Sequence, residues 1–134
     1  MQLKFPPGLK SKYDPQTLEN NIDYSLLRPL SLTGSDYPCH GYATPAIMNP
    51  LIAVANLTAN TAFKISIDGT AVHGGGSCQM SISYDNGASF AVLASIIGGC
   101  PLTPDYVITI PDLPSKAKAI FAWNWFNQVS TKPC

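Results

Sequence analysis

The chain has 134 residues, of which 46% are hydrophobic and 12% charged, with eight basic and eight acidic side chains and a formal net charge of zero. That length fits one domain with a continuous core, so residues 1–134 are read as a single domain, loop-rich over 1–50 and strand-rich over 51–134. The charge balance gives neither the field of a nucleic-acid binder nor a polybasic membrane patch, favours a neutral, carbohydrate-like partner, and comes with no apolar stretch near the ~18 residues of a membrane span.

In chain order, residues 1–50 are broken by "FPPG", "YDP", "RPL", "YPC" and "MNP", which predict extended loops with one short helical turn. The apolar runs at 51–57 and 90–97 are strand-sized. From Phe63 the period becomes two: Phe63, Ile65 and Ile67 alternate with Lys64, Ser66 and Asp68, and Cys78, Met80, Ile82 and Tyr84 alternate with Gln79, Ser81 and Ser83. Each run reads as a half-buried strand. "YDNG" supplies the Asn-Gly step of tight hairpins, so 78–84 should pair with 90–97. Strands follow at "DYVITI" and "KAIFAWNWF", separated by the "PDLPS" turn. The second puts Phe121, Trp123 and Trp125 on one face, expected in the core rather than as a sugar platform. Short strands, regular turns and no convincing helix predict an all-β antiparallel sandwich with long N-terminal loops. A long irregular stretch of this kind usually carries function or a binding surface.

Cys39, Cys78, Cys100 and Cys134 lack the close Cys-x-x-Cys pairs of structural zinc. Two disulfides suit their spacing, and three pairings exist on paper. Cys78 and Cys100 bracket the expected hairpin and form the natural local pair, which leaves Cys39 for Cys134. Bridges imply an oxidising, extracellular compartment, and the sequon Asn56-Leu57-Thr58 is a glycosylation candidate in keeping with secretion. Met1 opens no signal-peptide pattern, so the sequence is read as a mature or recombinant form.

The segment His73-Gly74-Gly75-Gly76 has three readings. An esterase oxyanion hole would need a Gly-x-Ser-x-Gly elbow, which does not occur. A histidine at a strand end can simply cap backbone groups. As a metal ligand, an imidazole suits copper or zinc, and flanking glycines allow close backbone approach.

The run "AVHGGGSCQMSISYDNGASFAVLASIIGGCPL", followed by "YVITIP" and "PSKAKAIFAWNWFN" and preceded by "GSDYPCHGY", resembles the secreted fungal lytic polysaccharide monooxygenases. It is most like the chitin-active auxiliary-activity family and its uncharacterised relatives. The opening "KFPPGLKSKYDP" is similar to mature chains of that group. The resemblance implies an immunoglobulin/fibronectin-like β-sandwich whose loops form a flat face, and a single copper ion in a histidine brace. In the brace, an N-terminal histidine gives its amine and ring nitrogen, and a second histidine gives the third nitrogen. His73 matches that second histidine, Met1 would contribute its terminal amine, and Ala71 matches the small residue near the axial copper face. The implied partners are chitin or cellulose, an external reductant, and hydrogen peroxide or oxygen; reduced copper with these yields an oxidant that abstracts a glycosidic C–H hydrogen. A secreted monomer is expected.

Two departures accompany the match. Residue 1 is Met where the family has His, and aligning "FPPG" puts the brace histidine immediately before Met1. At the other end "QVSTKPC" lacks the glutamate and axial tyrosine that relatives carry before the last cysteine, although Cys134 can still serve as the partner of Cys39. A non-catalytic copper- or polysaccharide-binding relative on the same fold is therefore the alternative, with a small endoglucanase-type hydrolase behind it. His40 is read as a surface loop residue. Tyr13, Tyr24, Tyr37 and Tyr42 lie in the loop-rich part, where one or two could stack on sugars. Asp68, Asp85, Asp105 and Asp112, the acids from which a glycosidase pair could be drawn, are read as solvated turn formers.

Overall fold

The structure, a computed structural model, describes residues 1–127 and the backbone of residues 131–133. Seven strands occur among them: β1 (Gln2–Phe5), β2 (Ala62–Asp68), β3 (Gly76–Ser83), β4 (Ala91–Ile96), β5 (Asp105–Thr109), β6 (Ile120–Asn127) and β7 (Thr131–Pro133). They form two antiparallel sheets, of order β1-β2-β5 and β4-β3-β6-β7. Between the sheets lies one cluster of buried side chains, among them Phe63, Ile65 and Ile67 of β2, Met80 and Ile82 of β3, and Trp123 and Trp125 of β6. The architecture is the all-β sandwich that the period-two runs predict.

The alternation in β2 is strict, with Phe63, Ile65 and Ile67 buried and Lys64 exposed. In β3 Ser81 and Ser83 are buried as well, because this strand is central and carries β4 on one side and β6 on the other. Trp123 and Trp125 are 1% and 0% exposed, so their face is core, as expected. Replacing a buried Trp by Ala costs about 3–5 kcal/mol in comparable cores.

The first fifty residues depart from the expectation. Where extended loops are expected, Gln2–Phe5 forms strand β1, although Pro6 and Pro7 argue against a ladder there. It forms as an edge strand that ends at Phe5, with Gln2 opposite Asp68 and Leu3 opposite Ile67, so the prolines never have to donate a ladder hydrogen bond. The single helical turn expected becomes three 3-10 turns, at Glu19–Asn21, Tyr24–Leu27 and Cys39–Gly41, and a one-turn helix α1 (Pro45–Met48). The apolar run at 51–57 is irregular. It is tethered at Ile52, whose backbone N–H and C=O both bond the Gln16 amide at 2.9 Å.

The hairpin pairs β3 with β4 from Cys78 opposite Ile96 to Ile82 opposite Ala91, with an irregularity after Met80. Its connection is longer than a two-residue turn and spans 84–90. Asn86 and Gly87 do take the positive φ that the Asn-Gly step predicts, 57° and 90°, but the loop closes on Asp85. That carboxylate accepts from the Ser83 hydroxyl at 2.7 Å, the Ser89 amide at 2.9 Å and the Ser89 hydroxyl at 2.6 Å.

Cys78 and Cys100 are bonded, as expected of the local pair, across a separation of 22 residues. The loop-entropy account gives such a bridge roughly 3 kcal/mol of stabilisation. Cys39 is disulfide-bonded too; the expected Cys39–Cys134 pairing lies outside the described residues.

Candidate metal centre

The first signal in the sequence was a histidine ahead of three glycines, and its backbone explains the pattern. Val72, His73, Gly74 and Gly75 form a turn closed by a hydrogen bond from the Gly75 amide to the Val72 carbonyl at 2.7 Å. Both central residues have positive φ, 47° at His73 and 73° at Gly74. Positive φ at both central positions is the requirement of a type I′ turn, which glycine meets readily and histidine accepts at some cost. Gly76 then has no room for a side chain: a Cβ there would collide with the Phe126 carbonyl and lie 2.9 Å from Asn127 Cα. The glycines therefore let β3 start tight against β6 while the turn carries His73 out to solvent, where it is exposed.

The imidazole has a fixed platform. It stacks on the Trp125 indole with ring centroids 5.9 Å apart and planes 23° from parallel, and Trp125 stacks in turn on Trp123 at 6.3 Å and 14°. Trp125 comes from β6, opposite Cys78 in the ladder. Sequence reasoning placed this tryptophan in the core and missed that it supports His73. No local pattern signals the contact, because it joins residues far apart in the chain and His73 lies outside the β3/β6 ladder.

Met1 sits at the same end of β2. Pairing of Gln2 with Asp68 brings it against Gly69, where a Cβ would lie 2.5 Å from Met1 Sδ and 3.4 Å from Met1 N. The Met1 side chain is part of the core, 7% exposed. Ala71 is exposed in the segment that leads from Gly69 to His73. Beside Met1, Asp68 makes a 3.0 Å ion pair with Lys12. Its carboxyl is held below the usual range by the Lys12 hydrogen bond first, and by those of Tyr13 and Gln2. Lys4 and Lys12 lie 5.7 and 5.0 Å from the Tyr13 ring centroid.

The donor set decides which metal chemistry fits. Among the described residues no group of three His, Cys, Asp or Glu side chains could hold an ion. The donors expected from the sequence, the His73 imidazole and the Met1 amine, are nitrogens, the ligand type that suits copper.

His40, read as a surface loop residue, lies in the 3-10 turn Cys39–Gly41 and is largely covered. Its side chain is 12% exposed and its Nδ1 is 3.6 Å from Asp36. Asp68 and Asp105, read as turn formers, are instead the last residue of β2 and the first of β5. Lysines neutralise both, Lys12 at 3.0 Å and Lys64 at 2.9 Å. Tyr42 donates to Asp23 at 2.6 Å, whereas Tyr24 and Tyr37 are 65% and 59% exposed. Asn56 is exposed.

No family model matches the chain. The AA11 family lytic polysaccharide monooxygenase A of Aspergillus fumigatus is 45% identical over 132 residues, covering 98% of this chain and 59% of that protein. An AA11 family lytic polysaccharide monooxygenase of Aspergillus oryzae is 31% identical over 139 residues, covering 90% of this chain and 30% of that protein. The AA11 family lytic polysaccharide monooxygenase B of A. fumigatus is 30% identical over 122 residues, covering 78% of this chain and 29% of that protein. The chain thus spans 59% of the first relative's length and 30% and 29% of the other two. Over nearly its whole extent it is a homologue of proteins named AA11 family lytic polysaccharide monooxygenases.

Proposed function

We propose that the chain is a secreted domain of the lytic polysaccharide monooxygenase type, acting on a neutral polysaccharide such as chitin or cellulose, with copper held by His73 and the Met1 amine. The observation that carries this reading is His73 itself. It is an exposed imidazole on a rigid turn with an aromatic platform, in a chain whose homologue over 98% of its length bears that family's name. Bound copper would supply one-electron redox chemistry, with an external reductant and hydrogen peroxide or oxygen as co-substrate.

The protein's own contribution is positional. Stacking on Trp125 limits rotation of the His73 ring, so a nitrogen is presented in one direction without the entropy cost of ordering a mobile side chain. The ladder between β1 and β2 holds Met1 at the end of the strand from which the His73 segment departs.

The test is incubation of the copper-loaded protein with chitin and with cellulose, with and without reductant, followed by mass spectrometry of the soluble sugars. Oligosaccharides with oxidised ends that require reductant support the reading. Unmodified sugars released without reductant would instead indicate a hydrolase.

The second reading is a domain of the same fold that binds copper or polysaccharide through the exposed His73 turn without oxidising the polymer. Retention on the polysaccharide with no new products identifies that case.

A further inference from the structure

We propose that Ile97 and Leu102 form a rigid apolar ridge that docks on the C–H ring faces of a neutral polysaccharide beside His73. This rests on the polysaccharide reading above and names the contact that would serve it.

Leu102 lies over the glycine turn: a Cβ built on Gly75 would be 3.1 Å from Leu102 Cγ, and Gly75 is two residues from His73. Despite that contact Leu102 is 54% exposed, and Ile97, at the other end of the same loop, is 84% exposed. A mobile loop could hide such side chains; this one is pinned throughout. Cys100 is bonded to Cys78, and its amide donates to the Gly76 carbonyl at 3.1 Å. The Leu102 amide donates to the Gly99 carbonyl at 3.0 Å, and the Gly98 amide to the Ser77 hydroxyl at 3.1 Å. The Tyr106 hydroxyl donates to the Gly99 carbonyl at 3.2 Å and accepts from the Thr103 amide at 3.3 Å.

A loop held in this way has little conformational freedom left to lose, so contacts at its tip convert efficiently into affinity. Its chemistry selects the occupant. From 91 to 104 there is no Asp, Glu, Lys, Arg or His, so nothing on the ridge would hold an anionic or cationic partner, and exposed aliphatic groups favour apolar surface. A pyranose ring offers that surface without charge. Continuity with the His73 turn places the contact where the proposed chemistry needs substrate.

The experiment measures retention of the full chain on insoluble chitin and cellulose, without reductant, for the wild type, Leu102→Ser, Ile97→Ser, the double variant and, as a control for loss of exposed apolar surface elsewhere, Leu32→Ser. Both ridge residues are exposed, so unchanged melting temperatures should confirm that the variants fold. The ridge predicts that Leu32→Ser is retained like the wild type, that each ridge serine variant loses about threefold, and that the double variant loses roughly tenfold. A double variant retained as well as the wild type overturns the ridge and leaves the polysaccharide reading standing. A wild type retained on neither polymer overturns both. Self-association lost in the double variant with retention intact would assign the ridge to a second copy of the chain and overturn the proposal. Retention that depends on the ridge but yields no oxidised products upholds it while the oxidative reading fails.

Discussion

Tyr42 and Asp23 show how single side chains tie down the loop-rich part. The Tyr42 hydroxyl donates to Asp23 at 2.6 Å, Lys10 Nζ lies 5.1 Å from the Tyr42 ring centroid, and the Asp23 amide donates to the Lys10 carbonyl at 2.9 Å. The hydrogen bond to Asp23, then burial, pushes the Tyr42 phenol up to about 12. Folding is favoured by that raised value fully below the ordinary tyrosine range near 10, and the contribution disappears as pH rises through about 12. Tyr42→Phe should cost about 1.5–3 kcal/mol in chemical denaturation, the range for a hydrogen bond to a charged acceptor, and should remove a phenolate transition at about 12 from an absorbance titration. Asp85 gives the acid counterpart. The Ser89 hydroxyl and amide and the Ser83 hydroxyl hold its carboxyl down to about 2. Its contribution is complete above the unfolded value of 3.8, shrinks as pH falls, and is gone below about 2. A carboxyl titration followed by NMR should place the Asp85 midpoint well below that of an ordinary aspartate; a midpoint near 3.8 would contradict the loop geometry.

The strands explain which parts of the fold were readable. Alternation in β2 and β3 is local information: Phe63, Ile65 and Ile67 declare one face without reference to any partner. The pairing of Cys78 with Trp125 is different, because it joins residues 47 positions apart in the chain (125 − 78). No local pattern encodes it, so the histidine was legible and its platform was not. The same holds for β1, where the local signal of Pro6-Pro7 opposed a strand and only the β2 edge, supplied sixty residues later, made one favourable. Asp68 read as a turn residue because Gly69 follows it, yet the β1 partner extends the ladder to Asp68 itself. Gly76 tests this nonlocal packing at the level of the element. Gly76→Ala should destabilise the protein by roughly 2 kcal/mol or more, since its φ of 157° and the Phe126 carbonyl leave no room for a methyl group. A thermal melt unchanged from wild type would show that β3 and β6 are not as close as described.

Across the whole molecule, two sheets and the Cys78–Cys100 disulfide carry a small set of surface features: the His73 turn, the Met1 end of β1 and the Ile97/Leu102 loop. The core of this frame is apolar side chains, and the exposed His73 stands outside it. Loss of the imidazole should therefore leave the fold intact while removing the metal. His73 is the side chain proposed to hold copper, and paramagnetic resonance of the copper(II)-titrated chain beside the His73→Ala variant tests that role. We expect a single stoichiometric signal with imidazole nitrogen coupling in the wild type, and in the variant, with its circular dichroism unchanged, a loss of affinity beyond the roughly 10–100-fold of an outer-shell substitution. An identical copper spectrum and affinity in a folded His73→Ala protein would remove the histidine from the site and contradict the account.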